Sequence, residues 1–157
     1  MNKNDRYIVA LSGRRVSLSP DTDTPSLKDI AVSHCRTPMY SGQTRYFYSV
    51  AHHCVAACEI AEECGEPPLI SILTLLHEVE TSVFGDIPGP VKCDAQRLLE
   101  YSLRRKTLID INIFHCLNEA TDLIGKYWPK VEYYAKLEQA ASTVALLGLA
   151  EDRKSVV

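Results

Sequence analysis

Apolar residues at helical spacing begin at Ser49 and continue through most of the remaining chain. Ser49 is a residue type that caps helix N-termini, and Val50 and Ala57 then fall on one face, until Gly65 ends the segment. Long period-two alternation, the pattern of a strand, is missing apart from a short candidate ribbon around residues 7–16. The pattern therefore predicts an all-α fold.

Turn-forming residues divide the chain into an arm and a helical core. Residues 1–48 are rich in Ser, Thr, Pro, Asp and Gly, which predicts an irregular N-terminal arm with a short helix near residues 26–34. A helical core over residues 49–150 and a tail over residues 151–157 complete a single domain. The helices expected after the one that begins at Ser49 run from Leu69 to about Phe84, over about residues 94–106, through residues 113–124, and over about residues 130–149, with Gly125 and Pro129 separating the last two.

Composition excludes several classes of protein. The chain has 157 residues, of which 46% are hydrophobic and 24% charged, values typical of one globular domain and not of a disordered chain. Seventeen Lys and Arg against twenty Asp and Glu give a net charge of −3. Because no general cationic field exists, we expect neither bulk nucleic-acid binding nor membrane binding.

The N-terminus and the cysteines both favour a cytoplasmic protein. The first apolar run, residues 7–11, is too short for a signal-peptide core or a membrane span. The six cysteines lack the dense framework of a disulfide-stapled domain, so we interpret them as reduced thiols. Cys54 and Cys58 are spaced to share a zinc ion on one helix, but no second pair completes a structural site.

Polar side chains occur on helix faces that otherwise consist of apolar residues. His53, His77 and Glu138 share their faces with aliphatic, aromatic or small residues, and Glu78 adjoins His77. Burying charge without a partner is costly, and one divalent metal ion would neutralise the carboxylates and satisfy the imidazoles. Such a mixed nitrogen and oxygen set suits Mn, Fe, Co, Zn or Mg.

Each of these residues also has a purely structural interpretation. A lone histidine on an apolar face is more often a hydrogen-bonded core residue than a ligand. His34 and His115 are better explained as surface or core residues. Trp128, beside Tyr127, is suited to stack on a nucleobase, although helical spacing favours core packing.

Three motifs, in this order, resemble those of the HD-domain phosphohydrolases. They are Y-S-V-A-H-H-C at residues 48–54, L-L-H-E at residues 75–78 and G-D-I-P-G-P-V-K at residues 85–92. The branch most similar is that of small phage and bacterial HD proteins related to the 5′-deoxynucleotidases, and residues 13–42 also resemble the arm of its phage-type members. The resemblance implies an all-α HD domain with one divalent metal ion.

The resemblance also implies roles for individual residues. The predicted metal ligands are His53, His77, Glu78 and Glu138. Arg36 matches an arginine that binds the substrate phosphate, Asp86 matches a carboxylate that helps hold the sugar, and Lys92 either faces the phosphate or caps its turn.

The chain departs from the family pattern at several of these positions. Glu78 and Glu138 stand where the family has Asp, and Met39 replaces a second arginine of the arm. Thr81 replaces the acid that helps activate water, four residues after the ligand histidine. Glu80, one residue earlier, is either a substitute general base or a solvated helix residue.

These features support two functions of different class. The first is a metal-dependent phosphohydrolase that releases phosphate from small (deoxy)nucleotides, a cyclic or oligomeric nucleotide being a further substrate class. The second is a catalytically degenerate HD domain that binds a nucleotide or a partner protein as a regulator. A phage-encoded regulator is one example of such a domain. A homodimer is plausible for either, although no heptad pattern indicates one.

Overall fold

A computed structural model of the protein describes residues 7–17, 25–87 and 121–147. The described part is mostly helical, which confirms the predicted all-α fold. Its helices are α1 (Leu27–Arg36), α2 (Val50–Glu63), α3 (Pro68–Leu75), α4 (Thr81–Phe84) and α5 (Thr121–Leu147), and a 3-10 turn covers Met39–Gly42. The helix predicted over residues 94–106, the first part of the one through residues 113–124, Lys92, Cys93, Cys116 and His115 lie outside the described residues.

Two short strands in the arm form the predicted ribbon. Strands β1 (Tyr7–Val9) and β2 (Arg15–Ser17) pair antiparallel, with Ile8 opposite Val16. Val16 is completely buried. Ser12, between the two strands, donates its N–H and hydroxyl to the Asp29 carboxylate of α1, which joins the ribbon to the first helix.

Helices α2, α3 and α5 contact one another and enclose most of the core. Buried Leu73 of α3 packs in one cluster with Ile30, Val79 and Val131, while Ala61 of α2, Ile70 of α3 and Tyr134 of α5 form another. Among the residues described, no helix is long and apolar enough to cross a membrane. Apolar residues of these three helices pack against one another.

The start and end of α2 follow the sequence signals. Ser49 Oγ accepts the His52 backbone N–H at 3.2 Å, and His52 Nδ1 accepts the Ser49 N–H at 3.2 Å, which makes a reciprocal capping box. Gly65 beyond the C-terminus has a φ of +76°, a conformation that glycine adopts without a Cβ penalty. Both predicted boundaries of this helix are confirmed.

Two predicted helix boundaries are wrong. The helix expected to run from Leu69 to about Phe84 ends at Leu75, and residues 76–80 form turns before α4. Glycine and proline were expected to end a helix near Gly125 and Pro129, yet α5 runs through both. Pro129 cannot donate to the carbonyl of Gly125, so this helix is held by its packing on α2 and α3 and not by an unbroken hydrogen-bond ladder.

A left-handed turn connects the arm to α5. Tyr40 and Ser41 have φ values of 55° and 52°, and Asp86 Oδ2 accepts the Ser41 N–H at 3.2 Å. The Tyr40 hydroxyl lies 2.7 Å from Ser142 Oγ on α5. These contacts hold buried Met39 against the site described next.

Candidate metal centre

Two buried imidazoles face each other between α2 and the turns that follow α3. His53 lies on α2 and is 3% exposed, and His77 lies in the turns and is 4% exposed. Their Nε2 atoms are 3.1 Å apart. The pair joins residues that are 24 positions apart in sequence.

The other nitrogen of each ring determines what Nε2 can do. His77 Nδ1 lies 2.6 Å from the carbonyl oxygen of Thr74, which can only accept, so Nδ1 carries the proton. His53 Nδ1 bonds Glu138 Oε2 in the same sense. With the proton on Nδ1, the Nε2 atom of each ring is the one that can offer a lone pair, and the two Nε2 atoms converge. A shared cation would stabilise this arrangement, and a histidine that binds a metal commonly donates its second N–H in this way.

Glu78 completes a group of three candidate ligands. Its Oε1 is 3.7 Å from His77 Nε2, and one ligand atom from each of His53, His77 and Glu78 lies within 4.8 Å of the others. Ligands held about 2.1 Å from one ion stand roughly 3–4 Å apart, so this spacing suits a single metal ion. The three residues could hold a metal ion, as the sequence predicts.

Glu138 lies on α5 and contacts the Nδ1 side of the His53 ring. Besides the bond from His53, its Oε1 accepts the Tyr48 hydroxyl at 2.5 Å. Burial raises the pKa of Glu138, but the hydrogen bonds from His53 and Tyr48 outweigh burial and lower that pKa below its usual range. Burial and the adjacent Glu138 raise the pKa of the Tyr48 hydroxyl, so Tyr48 remains a donor.

The predicted role of Glu138 as a fourth metal ligand stays a prediction. Its carboxylate is near His53 but is not one of the three atoms that converge. In the described arrangement it orients the imidazole of His53 and keeps the proton on Nδ1. Tyr48, which sequence analysis did not single out, holds the second oxygen of that carboxylate.

Glu80, the last residue of the turns, and Thr81, the first residue of α4, closely follow the candidate ligands in sequence. Glu80 is completely buried, so its interpretation as a solvated helix residue is wrong. Thr81 is also buried, and its hydroxyl donates to the Glu78 carbonyl at 2.8 Å. The residue that stands in place of the family's acid therefore stabilises the turn that carries a ligand.

Two of the three predicted substrate-binding residues, Arg36 and Asp86, lie within the described residues. Arg36, at the exposed end of α1, lines a cavity of about 260 Å³ formed with the ribbon, here called the ribbon cavity. Asp86 binds the left-handed turn at Ser41. Lys92 lies outside the described residues. Their roles toward phosphate and sugar stay predictions.

Two groups that sequence analysis did not assign to the site flank the backbone of Glu78. Burial, the larger effect, lowers the pKa of the His34 ring to about 4, while the nearby Glu78 backbone acts in the opposite direction. Burial, together with the surrounding carboxylates, raises the pKa of the Cys54 thiol. Among the described residues Cys35, Cys54, Cys58 and Cys64 are free thiols, in agreement with the sequence. The position of Cys54 directly after His53 was the available signal.

A cavity of about 160 Å³ adjoins the three candidate ligands and is called the metal cavity below. Its opposite wall is one face of α5, with Trp128, Glu132, Lys136 and Gln139, and Met39 adds an apolar side chain. Trp128 also packs against the core, as its structural interpretation predicted. The cavity gives a small molecule access to the ligand atoms.

No model of a known protein family matches the chain, and no curated protein matches it. The resemblance to the HD-domain phosphohydrolases therefore stays a prediction, carried by the motifs around His53, His77 and Asp86.

Proposed function

We propose that the protein is a metal-dependent phosphohydrolase that releases phosphate from small nucleotides. The observation that carries the proposal is the convergence of His53 Nε2, His77 Nε2 and Glu78 beside a cavity, with both Nδ1 atoms bonded elsewhere. The motifs that contain these residues supply the reaction class. Mn, Co, Mg, Zn and Fe are the ions whose ligand preferences suit such a site.

The residues of this chain have separable tasks in that reaction. His53, His77 and Glu78 would hold the ion, which when bound would supply positive charge to a phosphate oxygen and make a water molecule more acidic. Glu138 and the Thr74 carbonyl keep each imidazole in the tautomer that presents Nε2. Glu80, one residue before the position at which the resemblance implies an acid, is the candidate substitute that accepts the proton of water.

A second function, nucleotide binding without hydrolysis, is favoured by one observation. A hydroxyl is a far weaker base than a carboxylate, so Thr81, which stands where the HD-domain phosphohydrolases have an acid and donates to the Glu78 carbonyl, supplies no general base at that position. A domain of this kind retains the metal cavity and the three candidate ligands His53, His77 and Glu78, here called the metal group. It acts as a regulator through a bound nucleotide or a protein partner.

Product analysis distinguishes the two functions. Deoxynucleoside mono-, di- and triphosphates are incubated with the protein and Mg, Mn, Co or Zn, and released phosphate and nucleoside are quantified. We expect turnover with at least one ion, its loss in His77→Ala and its retention in His52→Gln. The second variant removes an exposed neighbouring imidazole, and glutamine at this capping-box position preserves the cap.

Each result of that experiment has a defined meaning. Repeated turnover that needs both metal and His77 supports the phosphohydrolase. Full activity of metal-free protein contradicts it. Nucleotide binding without product, in protein folded by circular dichroism, supports the regulator instead.

A further inference from the structure

Besides its two imidazoles, the metal cavity is lined, among the described residues, by two carboxylates and one lysine. Glu78 and Glu132 line it, and Lys136 is the cationic side chain that the described residues contribute to its wall. A phosphate that enters is repelled by both carboxylates unless the metal ion and a cation offset them. Phosphate binding in this cavity therefore requires a cationic side chain in addition to the metal ion.

We propose that Lys136 binds the substrate phosphate at the metal cavity by exchanging Glu132 for it. Its Nζ lies 3.6 Å from Glu132 Oε2, and the side chain is 74% exposed, so the ion pair is weak and readily replaced. The other Glu132 oxygen accepts the Trp128 Nε1–H at 3.2 Å. Glu132 is thus held beside the cavity after Lys136 leaves it.

Lys136 lies close to the candidate ligands because it lines the same cavity as His53, His77 and Glu78. It follows Glu132 by four residues and precedes Gln139 by three, so these side chains share the face of α5 that forms one wall of the cavity. The flexible four-carbon stem of lysine lets its ammonium reach a phosphate bound at the imidazoles.

Arg36, which the resemblance assigns to phosphate, is placed elsewhere. It lines the ribbon cavity together with Asp29, Thr37 and residues of the ribbon, whereas Lys136 lines the metal cavity. Within the described residues, the phosphate-binding task has therefore moved from the arm to α5. This inference rests on one part of the proposed function, the binding of a phosphate at the metal cavity, and does not require that the nucleotide is hydrolysed.

Calorimetric titration of inorganic phosphate into Mn²⁺-loaded protein tests the proposal. We expect Lys136→Ala to weaken phosphate binding about tenfold, because a charge-assisted hydrogen bond is lost. Lys136→Arg restores most of the affinity. Glu132→Gln tightens binding about two- to fivefold, because it removes the competing carboxylate. Lys126→Ala is the matched control, an exposed lysine earlier on the same helix that lies over the Tyr127 ring.

Lys136→Ala and Glu132→Gln are expected to change phosphate affinity in opposite directions, which a purely structural role of these residues would not produce. Mn²⁺ affinity is titrated for each variant and is expected to stay at the wild-type value for Lys136→Ala. Equal phosphate affinity of Lys136→Ala and wild type, equal losses in Lys136→Ala and Lys126→Ala, weaker binding by Glu132→Gln, or no phosphate binding to Mn²⁺-loaded wild type each overturns the proposal. Phosphate binding with the expected pattern but without nucleotide turnover rejects the phosphohydrolase and leaves this proposal standing.

Discussion

Glu138 shows how much a carboxylate's role depends on which atom it contacts. It bonds Nδ1 of His53, on the side of the ring away from the Nε2 atom that faces His77. With Tyr48 on its other oxygen, the carboxylate is held at both ends and remains ionised. Helical spacing predicted that Glu138 lies on an apolar face, and the resemblance implied that it joins the histidines, but neither could predict which nitrogen the longer side chain reaches.

Removing Glu138 should weaken metal binding without abolishing it. We expect Glu138→Ala to lower Co²⁺ or Mn²⁺ affinity about 10- to 100-fold, since groups that orient a ligand histidine typically contribute that much. Glu138→Gln keeps an acceptor for His53 and loses less. Affinity is measured by competition with a chelator, with His77→Ala as the reference for a lost ligand. A complete loss in Glu138→Ala, equal to that of His77→Ala in folded protein, would show that Glu138 is itself a ligand.

A kinetic experiment tests whether Glu80 acts as a general base. If the buried acid accepts a proton during turnover, Glu80→Gln lowers kcat at least about 100-fold, the usual range for general-base catalysis, while metal affinity stays near the wild-type value. Steady-state kinetics and chelator competition are measured on the same preparation. Unchanged kcat would assign Glu80 to the packing of the turns alone. Thr81→Val, which removes the neighbouring hydroxyl, controls for disturbance of the Glu78 turn.

At the scale of elements, capping signals in the sequence predict helix starts better than they predict helix ends. Ser26 and Ser49 each cap a helix where the sequence indicates. The end of α3 was not predictable, because the Thr74 carbonyl accepts the ring N–H of His77, a tertiary arrangement that apolar spacing does not encode. Pro129 misled in the opposite sense, since packing on α2 and α3 outweighs the missing hydrogen bond.

The N-terminus of α1 depends on the ionised form of Asp29. Its carboxylate accepts hydrogen bonds from the side chains and backbone N–H groups of Ser12 and Ser26, and thereby joins the ribbon to the helix. The hydroxyls of Ser26 and Ser12 are the larger causes that lower the pKa of Asp29 from 3.8 to about 2. A lowered carboxyl pKa means that the unfolded chain binds the proton first, so this contribution to stability is complete above about pH 4 and is lost as the pH falls towards 2.

Acid unfolding of Asp29→Asn tests that coupling. We expect the variant to be less stable than wild type at pH 7 and the difference to shrink between pH 4 and pH 2, because protonation removes the same interaction from wild type. Urea midpoints across this pH range provide the measurement. Ser26→Ala, which removes the cap but keeps the carboxyl, should cost about 1 kcal/mol at pH 7. A difference between Asp29→Asn and wild type that is constant from pH 7 to pH 2 would contradict the assignment.

For the whole molecule, the metal group is where three separate parts of the chain meet. His53 comes from α2, His77 and Glu78 from the turns after α3, and Glu138 reaches His53 from α5. The motifs predicted that these residues converge. They did not predict the placement of Arg36, because the docking of the arm depends on the ribbon and on Asp29, which are specified by tertiary contacts.

A ligand that joins three parts of a fold stabilises the folded state against the unfolded chain. At a free metal concentration 100 times the dissociation constant, linkage adds about 2.7 kcal/mol, which corresponds to a rise in Tm of roughly 5–10 °C for a chain of this size. We therefore expect Mn²⁺, Co²⁺ or Zn²⁺ to raise Tm by this amount and a chelator to reverse it. His52→Gln should retain the shift and His77→Ala should lose it, since only the second removes a residue of the converging group. An equal shift in both variants would show that the ion binds elsewhere on the chain, and the ligand assignment of His77 would then be wrong.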